Sequence, residues 1–129
     1  MIVDKMSRLL TMSTDRVREN TAYFLLTNYV RKGDPKSRNR VFIVHRLDRD
    51  TSGVIVFARN EEAKHFLQGE WSTFQKKYFA VVHGKLDQEE GTISSYLAEN
   101  TAHRVYSVKD PAQGKLATTG YKVLSESTR

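Results

Sequence analysis

Two short apolar runs rich in β-branched residues lie in the first half of the chain, at 41–44 (VFIV) and at 53–58 (GVIVFA). Continuous apolar runs of this length are typical of buried strands. The segment between them, HRLDRDTS at 45–52, is polar and charged. A charged loop between two buried strands is expected at the rim of a sheet, where side chains that carry chemistry are commonly held.

The N-terminal part of the chain predicts a short strand and a helix separated by an irregular segment. Residues 1–4 have a strand pattern, and residues 5–14 are rich in Ser and Thr. Asn20 or Thr21 can cap the helix that follows, and Gly33 ends it.

A second helix is predicted over 61–73, where apolar residues recur at helical spacing. Asn60 is a good N-cap for it, because a short amide side chain can accept a hydrogen bond from the first turn. Trp71 and Phe74, at its end, are predicted to lie in the core rather than to stack on a nucleobase.

The second half of the chain is rich in strand patterns with short connections, which favour antiparallel pairing. Its predicted strands are 77–83, 91–97, 104–108 and 116–124. The predicted fold class is therefore α+β, with a mixed, mostly antiparallel sheet and flanking helices. At 129 residues, the chain is predicted to form a single domain over 1–129.

Composition narrows the class of protein. Apolar residues make up 39% of the chain and charged residues 28%, which is a folded rather than a disordered composition. The sequence has no cysteine, so disulfides and cysteine metal sites are excluded. Neither a signal peptide nor a membrane-length apolar run is visible, and the expected location is the cytoplasm, with no membrane partner.

The net charge is +6 and the isoelectric point is about 9.7, which favours polyanionic partners such as RNA. A basic protein with no nucleic-acid role is an equally good interpretation of charge alone. The basic residues are spread along the chain rather than packed into a tail. The densest cluster is Arg31, Lys32, Lys36, Arg38 and Arg40, and another is Lys76 with Lys77.

Several catalytic classes lack their motifs. No glycine-rich phosphate loop and no nucleophile-elbow sequence occurs. The four histidines are scattered and lack metal-ligand spacing, so no metal site is predicted. These histidines are His45, His65, His83 and His103.

Asp48 is the strongest candidate for chemistry in the polar loop. If 45–48 continues an extended strand, Arg46 and Asp48 share one face. An arginine beside an aspartate lowers the carboxyl pKa, and an ionised carboxylate can act as nucleophile or general base. A simple surface ion pair is the alternative, and Asp50 could pair with the same arginine. Thr51 is typical of a turn, and its hydroxyl could form a hydrogen bond with the loop carboxylates.

The run HRLDRDTSG at 45–53 resembles the H-R-L-D-x-x-T-S-G signature of RluA-like pseudouridine synthases. KKYFAVVHGKL at 76–86 is similar to the K-x-Y-x-A-x-V-x-G segment of that family. GKLATTGYKVL at 114–124 is similar to its G-K-x-A-x-T-x-Y-x-V-L strand, in which Lys115 and Thr119 have a less certain role. The resemblance covers about residues 1 to 124.

The resemblance implies roles for single residues. Asp48 matches the catalytic aspartate, and Arg46 matches the arginine that helps to hold the opened RNA helix and the aspartate. Tyr78 matches the tyrosine that stacks on the target base, although a strand aromatic in the core is its simplest structural interpretation. Lys77, beside that ring, and Thr51, in the signature, are RNA-binding candidates.

The chain departs from the family pattern at two places. The family usually follows its first lysine with a turn of proline and glycine, whereas Lys5 precedes Met6-Ser7-Arg8. The family also carries a G-R-x-x-Q-I-R-x-H segment that is not found in these 129 residues. We therefore expect a catalytic domain that is truncated at its C-terminus.

The implied function is the isomerisation of uridine to pseudouridine in structured RNA, rRNA or tRNA, by a monomer without cofactor or metal. Two alternatives remain open at this point. One is a non-catalytic or incomplete RNA-binding module of the same fold, which would use the basic residues of 31–40 with Arg46, Lys76 and Lys77. The other is a basic domain for protein interaction.

Overall fold

The computed structural model describes residues 1–14, 17–101 and 104–127. His103 lies outside the described residues. The chain divides into two compact units, Met1–Lys77 and Tyr78–Arg129. The prediction of a single domain over 1–129 stays a prediction.

The first unit contains a three-stranded antiparallel sheet whose central strand is the apolar run GVIVFA. Its strands are β1 (Ile2–Lys5), β2 (Phe42–Ile43) and β3 (Gly53–Ala58), in the order β1-β3-β2. Ile55 and Phe57 of β3 are 0% exposed. Burial of Ile55, Phe57 and Ala58 explains the apolar sequence of the second half of β3, whereas Val54 is 66% exposed, and the predicted bounds of the strand are confirmed.

The helix α1 (Ala22–Arg31) packs on this core through Ala22 and Val30. Its N-cap is Thr21, whose hydroxyl accepts a hydrogen bond from the Phe24 N–H at 3.2 Å. The helix ends where Lys32 and Gly33 adopt positive φ angles of 52° and 80°. Of the two predicted caps, Thr21 is confirmed, and Gly33 ends the helix as predicted.

The helix α2 (Glu61–Gly69) begins at the predicted N-cap, because the Asn60 side chain accepts a hydrogen bond from the Ala63 N–H at 2.8 Å. It ends at Gly69, so the prediction of a helix as far as residue 73 was wrong. Glycine has a low helix propensity, and a turn follows it. Trp71 is half-buried beyond the helix, and Phe74 is 40% exposed.

The second unit contains a separate antiparallel sheet in the order β5-β4-β6. Its strands are β4 (Glu90–Glu99), β5 (Val105–Val108) and β6 (Lys115–Lys122). A 3₁₀ turn, Pro111–Gln113, joins β5 to β6 and is capped by the Asp110 carboxylate. No described side chain of this unit is buried.

The strand predicted at 77–83 does not form. Phe79 is 92% exposed and Val81 is fully exposed. A run of apolar residues becomes a strand only when a neighbouring strand supplies hydrogen bonds, and none of the described residues pairs with this segment.

The α+β class and the antiparallel pairing are confirmed. The strands form two sheets of three strands each rather than one mixed sheet. In the described ranges, no helix has the length and apolar character needed to cross a membrane.

Candidate active site

Asp48 lies in the loop at 44–52 that joins β2 to β3. The strand ends at Ile43, so 45–48 does not extend it as predicted. The predicted alternation nevertheless holds: Leu47 is 6% exposed and belongs to the core, whereas Arg46 and Asp48 are exposed on either side of it. Burial of Leu47 therefore directs the two neighbouring side chains to the surface.

The backbone just before Asp48 is held by Thr11. The Thr11 hydroxyl donates to the Leu47 carbonyl at 2.7 Å and accepts from the Leu47 N–H at 3.1 Å. The Thr11 carbonyl in turn accepts from the Tyr23 N–H at 3.0 Å, in the first turn of α1. Thr11 is 3% exposed, so water does not compete for these bonds. The position of Asp48 is thus tied to the helix through Thr11.

The Lys5 side chain also forms a hydrogen bond with the backbone of this loop. Its ammonium donates to the carbonyls of Met6 at 3.1 Å, Leu9 at 2.7 Å and Arg49 at 3.2 Å. The residue is 2% exposed, and burial lowers the pKa of the Lys5 ammonium, an effect that the charges of Asp50 and Asp48 partly offset. A buried positive charge therefore faces both loop carboxylates.

The turn at 48–51 distinguishes the two aspartates that position and charge alone left tied. Asp50 forms an ion pair with Arg49, with an Nε to Oδ1 distance of 3.2 Å. The Ser7 hydroxyl also donates to the Asp50 carbonyl at 3.0 Å. Among the described residues, no side chain forms a hydrogen bond or ion pair with the Asp48 carboxylate, so the predicted pairing with Arg46 is not formed. The carboxylate that remains available for a substrate is that of Asp48.

His45 makes a hydrogen bond and a stacking contact within the fold. Its Nε2 accepts from the Val56 N–H of β3 at 3.1 Å, and its ring stacks on Trp71 with 4.3 Å between centroids. Burial lowers the pKa of the His45 imidazole, while a backbone hydrogen bond with Arg46 acts in the opposite direction. Both the lowered pKa and the acceptor role of Nε2 favour the neutral ring.

The remaining predicted site residues are not all in the loop. Thr51 is half-buried, and its backbone N–H donates to the Asp48 carbonyl at 3.2 Å and closes the turn. Its hydroxyl bonds neither loop carboxylate in the described part of the chain. Lys77 is exposed at the end of the first unit, and Tyr78, which is 65% exposed, begins the second. The structure thus brings together Arg46, Asp48 and Thr51.

The hydrogen bonds from Thr11 and Ser7 to the backbone of this loop were not predicted from the sequence. Lys5 was noted there only because the residues after it depart from the family motif. Thr11 lies 36 residues from Leu47, and nothing local indicates the pairing. The high Ser and Thr content of 5–14 was the available signal, since hydroxyls in an irregular segment often bond to backbone.

Across 1–14, 17–101 and 104–127, no three or more His, Cys, Asp or Glu side chains lie close enough together to hold a metal ion.

A family model described as RNA pseudouridylate synthase matches residues 1–129. The chain belongs to that family. Its resemblance to the RluA-like pseudouridine synthases is thereby confirmed.

Relatives agree with this assignment. The chain is 34% identical over 96 residues to an RNA pseudouridine synthase of Mycoplasma genitalium, which covers 72% of this chain and 31% of the relative. It is 37% identical over 91 residues to ribosomal large subunit pseudouridine synthase D of Nitrosomonas europaea, which covers 69% of this chain and 26% of the relative. The chain thus spans less than a third of the length of these curated relatives.

A solved structure supports the fold. Human RNA pseudouridylate synthase domain containing 4 superposes with a TM-score of 0.64 at 18% identity, over 98% of this chain and 51% of that one. At this identity, the likeness bears on the fold alone.

Proposed function

We propose that the protein is an RNA pseudouridine synthase in which Asp48 is the catalytic carboxylate. The observation that carries the proposal is the state of Asp48: its backbone is held through Leu47 and Thr11, and its carboxylate has no partner in the described part of the chain. A carboxylate without a hydrogen bond or ion pair, on an exposed loop whose backbone is held, is suited to attack or proton transfer, because no such contact has to break before the reaction.

The substrate is a uridine in structured RNA, with rRNA or tRNA as the source. The nucleotide must leave the helical stack before the loop can reach its glycosidic bond. Asp48 then attacks the ribose or base, or removes a ribose proton. The N1–C1′ bond breaks, the uracil turns, a C5–C1′ bond forms, and the proton originally on C5 is released while one is returned to N1. The reaction is an isomerisation, so no cofactor is consumed.

Other residues assist by binding. Arg46, exposed two positions before Asp48, is proposed to hold a phosphate near the target nucleotide. Tyr78 is proposed to stack on the target base and Lys77 to contact a phosphate. Thr51 keeps the turn closed through its bond to the Asp48 carbonyl. We propose a monomer acting on RNA in the cytoplasm, without a metal.

The test compares two carboxylates in one loop. Asp48→Asn is expected to lower tritium release from RNA containing 5-tritiated uridine by about 10³-fold, within the range for loss of an acid–base or nucleophilic group. Asp50→Asn removes an equal charge two residues away, where the side chain pairs with Arg49 and interacts with the buried Lys5 charge, and is expected to keep most of the activity.

Full tritium release by Asp48→Asn would refute the role of Asp48. RNA binding by a wild-type protein that releases no tritium would instead favour the non-catalytic RNA-binding module.

A further inference from the structure

An open groove of about 670 Å³ lies in the first unit between the C-terminal end of α1, the loop before β2 and the connection from β3 to α2. Four arginines and one carboxylate line it, so the lining carries a net charge of +3. We call it the arginine groove; its charged residues are Arg31, Arg38, Arg40, Arg59 and Glu61.

Two of these arginines are positioned by neighbours. The Arg40 guanidinium lies 4.8 Å from the centroid of the Phe42 ring, and its Nη2 is 3.6 Å from Glu61 Oε1. Arg31 Nε donates to the Asn39 carbonyl at 3.3 Å. A guanidinium has five N–H donors, so each retains donors for another oxygen ligand.

The other two arginines are unengaged. Arg38 and Arg59 are exposed, and their side chains have no hydrogen-bond or ion-pair partner among the described residues. They come from different segments of the chain, since Arg38 precedes β2 and Arg59 follows β3. Cations that converge from separate elements, and that no acidic residue neutralises, favour an anionic ligand with several charges.

The groove and Asp48 lie at opposite ends of β3. Phe42 lines the groove and pairs with Ala58, the last residue of β3. Gly53, the first residue of β3, follows the loop that carries Asp48. Five residue steps of about 3.4 Å separate Gly53 from Ala58, which gives about 17 Å along the strand. This separation is too large for one nucleotide to fill, and a polynucleotide spans it easily.

We propose that the arginine groove binds backbone phosphates of the substrate RNA, several nucleotides away from the uridine that meets Asp48. The inference rests on the proposed function, and it adds a second RNA-binding site to it. Phosphates match the guanidinium geometry, and the open shape of the groove admits a continuous strand. The groove thereby selects RNA that extends beyond the target nucleotide.

The experiment uses the full-length protein and an RNA hairpin that contains the target uridine. Arg38→Gln with Arg59→Gln removes two charges from the groove. The control is Lys109→Gln with Lys122→Gln, which removes two charges from exposed sites outside it. Lys122 forms only an exposed pair with Glu90 at 3.8 Å, so its loss costs little stability. Circular dichroism melting compares the folding of both variants with that of the wild type.

The expected result is a change in salt dependence. The slope of log affinity against log salt concentration should become shallower by about 1.4 in the groove variant, because two phosphate contacts are lost and each contributes about 0.7 on single-stranded RNA. The KM for RNA should rise about tenfold with kcat unchanged, and trimming the RNA flanks should weaken wild-type binding more than binding by the variant.

Equal slopes and equal KM values in the groove and control variants would overturn the inference while leaving the proposed function intact, and would leave the groove to another ligand such as an acidic protein. If the wild type releases no tritium but the groove variant still shows the shallower slope, the groove is supported and the proposed function fails.

Discussion

Thr11 makes the most specific single-residue contribution to the candidate active site. Its hydroxyl satisfies both polar groups of the Leu47 backbone, and its own carbonyl is bonded to the start of α1. Leu47 is buried, so these backbone groups have no water as an alternative partner. The geometry of Asp48 therefore depends on a residue that has no chemistry of its own in the reaction.

Thr11→Val is expected to lower kcat by about tenfold or more, since small displacements of a catalytic group are costly. It should also lower the free energy of unfolding by about 1 to 3 kcal/mol, because the Leu47 N–H and carbonyl lose their partner. Single-turnover tritium release and urea unfolding measure the two effects.

Thr11→Ser keeps the hydroxyl and serves as the matched control, with kcat expected near that of the wild type. A Thr11→Val protein that is destabilised but turns over at the wild-type rate would show that Thr11 is structural only. The affinity for RNA should be unchanged in both variants, which separates positioning from binding.

At the scale of elements, β3 depends on unlike partners along its two edges. β1 pairs with it over four residues, from Ile2 opposite Val56 to Lys5 opposite Gly53. β2 supplies only Phe42 and Ile43, and beyond them His45 Nε2 accepts the Val56 N–H. The His45 side chain thus replaces a backbone acceptor at the point where the chain leaves the sheet. The chain can therefore turn into the Asp48 loop while the Val56 N–H keeps a partner.

This arrangement predicts a pH dependence of stability. Burial lowers the pKa of His45 in the folded state below the ordinary 6.5, so folding favours the neutral ring. The stabilisation is present above about pH 6.5 and is lost as the pH falls through the lowered pKa, because the unfolded chain then binds more protons than the folded one. Urea midpoints between pH 5 and pH 8 measure this loss.

His45→Gln retains an oxygen acceptor for the Val56 N–H but does not titrate. The difference in unfolding free energy between wild type and variant should therefore change below pH 6.5. Parallel curves for the two proteins across this range would contradict the role assigned to His45, because the exposed His65 and His83 are common to both.

At the scale of the whole molecule, the two units differ in how they are stabilised. The first has a core that includes Val41, Leu47, Ile55 and Phe57. The described part of the second contains no buried side chain, and apolar groups such as Ile93, Tyr106 and Leu116 are about half exposed or more. Its sheet is held mainly by backbone pairing and by exposed cross-strand contacts such as Ser94 with Thr118 at 3.1 Å.

The 129-residue chain is expected to show unequal hydrogen exchange. Amides of β3 should be the most protected, and amides of β4 and β6 should exchange at least about tenfold faster, because few buried apolar contacts stabilise them. Exchange followed by NMR or mass spectrometry, normalised to the rates of the urea-unfolded chain, measures the difference. Equal protection of β3 and β4 would contradict this account of the second unit.

The elements that the sequence predicted well are those with strong local signals. The strand Gly53–Ala58 was predicted from a continuous apolar run. The helix caps Thr21 and Asn60, and the helix end at Gly33, were predicted from the local properties of single residues. The two failures have different causes. The pattern at 77–83 has no strand to pair with among the described residues, which is a non-local cause. The helix after Asn60 ends at Gly69, a local signal that was given less weight than the apolar spacing beyond it.

The sequence by itself determined the motif, the loop that carries it and the family to which the chain belongs, because these depend on residue order. It also predicted that Arg46 and Asp48 share a face, since side chains alternate along an extended segment. The motif match already selected Asp48, and the tertiary structure added that Asp50 is paired with Arg49 whereas Asp48 is not paired with any described side chain. Only the tertiary structure brought Lys5, Ser7 and Thr11 against the loop. Those contacts join residues 36 to 44 positions apart, and no local preference encodes such distances.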